Sequence, residues 1–113
     1  MGSGLYGGFG KTKGSEKTVF LPDNASQLKH IFGERSGHLP DTPANRERLL
    51  ELANDSSKFR GTDKWGNSWN VEINDDGTQD WVRYRDGIIN NGGRNITPLE
   101  WDIDTGLNNN PFK

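Results

Sequence analysis

The chain has 113 residues, room for one domain with a modest core. Only 29% of it is hydrophobic, so its four Trp, five Phe and two Tyr must supply much of the buried area. A net charge of −2 excludes a uniformly basic nucleic-acid binder but leaves room for a local basic face, and the lack of cysteine excludes disulfides and thiolate zinc sites.

Residues 1–18 are rich in Gly, Ser, Lys and Thr and read as a flexible lead-in, with a domain over 19–113. No apolar run reaches the length that a bilayer crossing requires, so no membrane association is expected. Asp23 or Asn24 can cap a helix through Ala25 to Phe32, with Leu28, Ile31 and Phe32 on one face and His30 near its end. Thr42 followed by Pro43 starts a second helix, which runs to about Asn54. Leu49, Leu50 and Ala53 face its core, while Arg46, Glu47, Arg48 and Glu51 point mostly outward.

From Lys58 onward the period becomes two. An edge strand over Phe59 to Thr62 is followed by the alternating run Trp69 to Ile73 and the turn Asn74-Asp75-Asp76-Gly77. A third strand over Gln79 to Arg85 precedes the hairpin signal Asp86-Gly87 and the short strand Ile88-Ile89-Asn90. After Gly92-Gly93 the chain reads as loop anchored by Trp101. Asp102-Ile103-Asp104-Thr105-Gly106 departs from a calcium loop, because the glycine comes one position early and no closing Glu follows. The expected class is α+β, with N-terminal helices packed on an antiparallel meander of three to four strands.

His30 and His38 are the only histidines and the best candidates for proton transfer near neutrality. In one reading, one of them deprotonates a ribose 2′-hydroxyl and the other protonates the departing 5′-oxygen, without metal or other cofactor. In the other, His30 ends a helix and His38 is an ordinary loop residue. Strand alternation puts Gln79, Trp81, Arg83 and Arg85 on one face. There the two guanidinium groups could clamp phosphate and the indole could stack a base, or the arginines could instead pair with Glu72. Gly92-Gly93-Arg94-Asn95-Ile96-Thr97 would lie beside that strand, and its glycine pair allows close backbone approach to a ligand. The expected site therefore has His30, His38 and Arg83 as catalytic residues. Lys29, Gln79, Trp81, Arg85, Asn95 and Thr97 are its expected substrate contacts.

Several segments carry a resemblance to a known class. They are His30-Ile31-Phe32, Gly37-His38, Asp41-Thr42-Pro43-Ala44-Asn45-Arg46, Gly61-Thr62-Asp63-Lys64-Trp65-Gly66-Asn67, Asp76-Gly77-Thr78-Gln79 and Arg85-Asp86-Gly87-Ile88-Ile89-Asn90-Asn91-Gly92-Gly93. Together they resemble C-terminal toxin domains of bacterial polymorphic toxins, of the contact-dependent inhibition, Rhs and LXG types. The element order is similar to the Barnase–EndoU–colicin–RelE nuclease fold.

The resemblance implies a metal-independent ribonuclease cutting tRNA. It implies delivery into a target cell as part of a larger toxin, and neutralisation by a cognate immunity protein. The net acidity leaves room for a host protein that presents the RNA. The alternatives are a toxin of the same delivery class acting on DNA or a nucleotide, and a non-catalytic binding module.

Overall fold

Asn24 starts the first helix by accepting from the backbone N–H groups of Ser26 and Gln27, at 2.8 and 3.2 Å. A computed structural model describes residues 18–108, so the expected lead-in lies, Thr18 apart, outside the described residues. Helix α1 spans Ala25–Ile31 and α2 spans Pro43–Ala53, the latter capped by Thr42 Oγ1 accepting from Asn45 N at 3.1 Å. No helix among the described residues is long and apolar enough to cross a membrane. Asn54 ends α2 and ties the incoming chain to it: its Oδ1 accepts from Thr18 N and Val19 N, and its Nδ2 donates to Val19 O and Leu50 O.

A short 3-10 turn at Ser56–Lys58 leads into four antiparallel strands. They are β1 (Phe59–Thr62), β2 (Ser68–Ile73), β3 (Gln79–Arg85) and β4 (Ile88–Asn95), hydrogen-bonded in that order. The protein is therefore α+β, with a four-stranded meander. Asp86 and Gly87 both take positive φ, 54° and 78°, the type I′ geometry whose twist matches a tight hairpin. Phe20 bridges Ile88 in parallel and covers the start of the outer edge of β4.

One face of the sheet carries the core. Ile31 and Phe32, Leu49, Leu52 and Ala53 of α2, Val82 and Ile89 all bury there with Val19. Leu52 is almost completely buried, whereas Leu50, expected on the core face, is only partly so. Buried Asn70 donates from Nδ2 to the carbonyls of Leu52, Ala53 and Asp55 and accepts from Tyr84 Oη, so the open end of α2 is satisfied from the sheet.

Arg48 does not point outward as expected. It crosses to the sheet and donates from Nε to Asp80 at 2.7 Å and from Nη2 to Glu72 at 2.8 Å. Asp80 is fully buried near the start of β3 and also accepts from Arg94 Nε at 2.6 Å, so the charge there is held chiefly by the two guanidinium groups that meet it. Glu72 is taken by Arg48 and Lys58, and neither Arg83 nor Arg85 pairs with it.

Two expectations for the C-terminal third are corrected. Strand β4 does not stop at Asn90 but continues through Gly92-Gly93 to Asn95. The tail is not a loop, because Glu100–Asp102 (β5) and Gly106–Asn108 (β6) form a second, two-stranded sheet. The Asp102-to-Gly106 segment is the turn of that hairpin. The continuation of β4 has a packing cause. Leu49 seats on Gly92 from the helix side, and the Gly37–His38 backbone seats on Gly93 from the other side.

A Cβ on Gly93 would overlap the Gly37 carbonyl oxygen and come within 2.7 Å of His38 Cα. Both obstacles are backbone and cannot rotate away. Gly93→Ala is accordingly expected to destabilise the fold by about 2 kcal/mol, the usual cost of overpacking a tight contact. Urea denaturation reads this directly, and an unchanged midpoint would mean that the loop does not pack on β4.

Candidate active site

The loop after α1 is closed by its own hydrogen bonds before it reaches the sheet. Arg35 caps the helix, with Nη1 donating to Lys29 O at 3.0 Å and Nη2 to His30 O at 2.6 Å. Gly33 N donates to Leu39 O and His38 N to Arg35 O. The loop thus wraps the β4 edge and delivers Gly37 and His38 to the sheet face opposite the helices, where Trp81 Nε1 donates to Gly37 O at 3.1 Å.

His38 stands edge-on to Trp81, with ring centroids 5.8 Å apart at 68°. Its Nδ1 lies 2.9 Å from Ile31 O. A carbonyl oxygen only accepts, so Nδ1 carries the hydrogen and donates it. In the neutral ring the lone pair is therefore on Nε2. His38 is a half-buried imidazole with its tautomer and orientation fixed from behind.

Arg83 reaches the same face from β3. Its Nε donates to Asn90 Oδ1 at 2.6 Å, Asn90 Nδ2 donates to Asn67 Oδ1 at 3.0 Å, and Asn67 donates from N and Nδ2 to the carboxylate of Asp63. Asn90 is the extra residue where the register of β4 shifts opposite Arg83 and Tyr84, and that bulge aims it at the guanidinium. Among the described residues, no carboxylate lies within ion-pair distance of Arg83, and neither Nη has a hydrogen-bond partner. Its guanidinium carbon sits 5.8 Å from the Trp69 ring centroid. Burial pulls the Arg83 pKa below its usual value while the charge of Asp63 opposes this, and a guanidinium stays protonated regardless. Burial pushes Asp63 the other way, but hydrogen bonds from Trp69, Asn67 and Trp65 outweigh it and keep the carboxyl below its ordinary range. The result is a half-buried cation with two free donor groups, suited to a phosphate.

The other expected site residues are scattered. Trp81 is 8% exposed and stacked on Trp69 at 5.5 Å and 24°, so it walls the site and offers no open face to a base. Gln79 and Asn95 are buried and bonded to each other at 2.9 Å, and Gln79 also holds Leu99 through its backbone N–H and carbonyl. That work leaves them in the scaffold. Lys29 is exposed on α1, Thr97 is exposed in the bend after β4, and Arg85 is exposed with Nη1 donating to Trp65 O at 3.0 Å. His30 is exposed in the last turn of α1, where its ring has no partner among the described residues.

Comparison with protein-family models, curated proteins and solved structures finds no match.

The structure thus brings His38, Trp81 and Arg83 to one sheet face and leaves His30 outside that group. The link between the histidines is indirect, since the carbonyl that fixes His38 belongs to the residue after His30. Sequence reasoning gave no site role to Asp63, Asn67 or Asn90: Asn90 read there as a strand end, and Asp63 and Asn67 entered only through the resemblance. Among the described residues, no three His, Asp or Glu side chains gather as metal ligands.

Proposed function

We propose that this chain is a toxin domain of the polymorphic-toxin class, built on the Barnase–EndoU–colicin–RelE plan. In this reading it cleaves RNA, with tRNA as target, inside a cell to which a larger toxin delivers it, and an immunity protein restrains it. The observation that carries the reading is the sheet face shared by His38 and Arg83. One supplies a lone pair on a fixed Nε2, and the other supplies two guanidinium donors without a partner among the described residues.

The chemistry follows from those groups. His38 Nε2 takes the proton of a ribose 2′-hydroxyl, and the freed oxygen attacks the adjacent phosphorus. Charge building on the non-bridging oxygens is met by the Arg83 Nη groups. The bond to the 5′-oxygen breaks, and that oxygen leaves with a proton from His30, the second proton-transfer group of the reading, which the bound RNA must bring within reach because its ring stands outside the His38–Arg83 group. The products are a 2′,3′-cyclic phosphate and a 5′-hydroxyl.

The test is purified protein with total RNA in EDTA, followed by analysis of the new ends. Cleavage that persists and leaves cyclic phosphates is the expected result. Ends carrying 5′-phosphate, or equal cutting of the all-deoxy analogue, would overturn the proposal, because DNA has no 2′-hydroxyl to attack.

A further inference from the structure

We infer that Trp65 is a stacking platform for an unpaired base of a single-stranded RNA, with Lys64 and Arg85 beside it as phosphate contacts. The inference rests on the ribonuclease reading for what is bound, but concerns a surface outside the proton-transfer residues. Trp69 and Trp81 are buried and Trp101 is half-buried, while Trp65 is 62% exposed. An isolated exposed aromatic would mean little by itself. Here the ring is mounted on a pinned loop. Asp63 Oδ1 accepts from Trp65 N at 2.9 Å and from Asn67 N at 3.0 Å, Asp63 N donates to Asn67 O, and Gly66 N donates to Asp63 O. Lys64 N, donating to Asp104 O at 3.3 Å, fastens the loop to the β5–β6 hairpin. A ring presented this way loses little backbone freedom when it binds.

The charges around it suit a polyanion. Lys64 Nζ lies 4.9 Å from the Trp65 ring centroid, and Arg85 Nη1 donates to the Trp65 carbonyl. Two carboxylates compete nearby: Asp63, whose oxygens are taken by Trp65 N, Asn67 and Trp69 Nε1, and Asp86, 3.9 Å from Arg85 Nε but with its side chain 93% exposed and well screened. Alternation along β3 puts Arg83 and Arg85 on the same face, with Cα atoms ~7 Å apart, so they can meet successive phosphates of one strand. The line from His38 across Trp81 and Arg83 to Arg85 ends at Trp65. A base of the same strand, away from the cleaved bond, would stack there, and every base offers a π face for it.

The experiment titrates a labelled, non-cleavable 2′-O-methyl oligouridine, roughly twelve nucleotides long, onto wild type, Trp65→Leu and Trp65→Phe. Trp65→Leu is expected to weaken binding roughly 10–100-fold with an unchanged thermal midpoint, and Trp65→Phe to retain most of the affinity. Equal affinity of wild type and Trp65→Leu overturns the platform. Weakened oligonucleotide binding in Trp65→Leu beside a wild type that cuts no RNA would retain the platform and remove the ribonuclease reading.

Discussion

Replacing His38 with alanine is expected to lower RNA cleavage roughly a hundred- to ten-thousand-fold, the range in which a positioned general base acts. Growth arrest on expression in bacteria should be lost with it. The expectation comes from the way the ring is held. Its Nδ1–H is committed to the Ile31 carbonyl and its edge to Trp81, so the remaining nitrogen is a base that needs no reorientation. The same contacts make alanine an imperfect probe, since losing one hydrogen bond costs the fold about 1 kcal/mol.

His38→Asn separates the two effects. Its amide can still donate toward Ile31 O but offers no base, so cleavage should fall as far as in the alanine variant while the thermal midpoint stays near wild type. Single-turnover cleavage of labelled RNA is the measurement. Substantial cleavage by both variants would remove His38 from the mechanism. His30→Ala should fall less, about tenfold, because the ring is exposed and unanchored and water can replace a weakly positioned acid.

How much of this was legible in the sequence depended on the range of the interaction. The start of α2 is local chemistry: Thr42 caps and Pro43 fits the first helical position, and both boundaries agree with the structure within a residue or two. The Asp86-Gly87 turn and strand β3 are local in the same sense. Strand β4 was misread after Gly92-Gly93 because glycines in series resemble a loop. They are strand residues only because Leu49 and the Gly37–His38 backbone need the room a missing Cβ leaves. The β5–β6 hairpin has three-residue strands too short for a period to show, and Trp101 meets Trp69 at 6.1 Å only in the folded state. For the site, alternation correctly put Trp81 and Arg83 on one face. It could not reveal that Trp69 would cover Trp81, or that a bulge would turn Asn90 toward Arg83.

Asp80 is where a stability measurement is most informative. Asp80→Asn is expected to cost about 3 kcal/mol at neutral pH, the lower end for breaking a buried ion pair. The lower end applies because Arg48 and Arg94 keep 25% and 38% of their side-chain surface and can turn to water once the carboxylate is gone. The pH dependence gives the sharper test. Burial alone would raise the Asp80 pKa, but hydrogen bonds from Arg94 and Arg48, with their charges, more than offset it and hold the carboxyl below its ordinary value. A folded-state pKa below the unfolded one contributes stability that is complete above the unfolded value, about pH 4. That contribution disappears as pH falls through the folded value. The gap between wild type and Asp80→Asn in denaturant titrations should therefore be widest at pH 7 and shrink in acid, where protonated Asp80 comes to resemble the amide. Both proteins keep the acid sensitivity that comes from Asp63 and Glu72, each also held low by its partners, so the gap between them reports Asp80. A gap that is the same at neutral and acidic pH would mean that Asp80 is not ionised in the folded chain, and the charge cluster joining α2 to the sheet would then have to be redrawn as neutral hydrogen bonding.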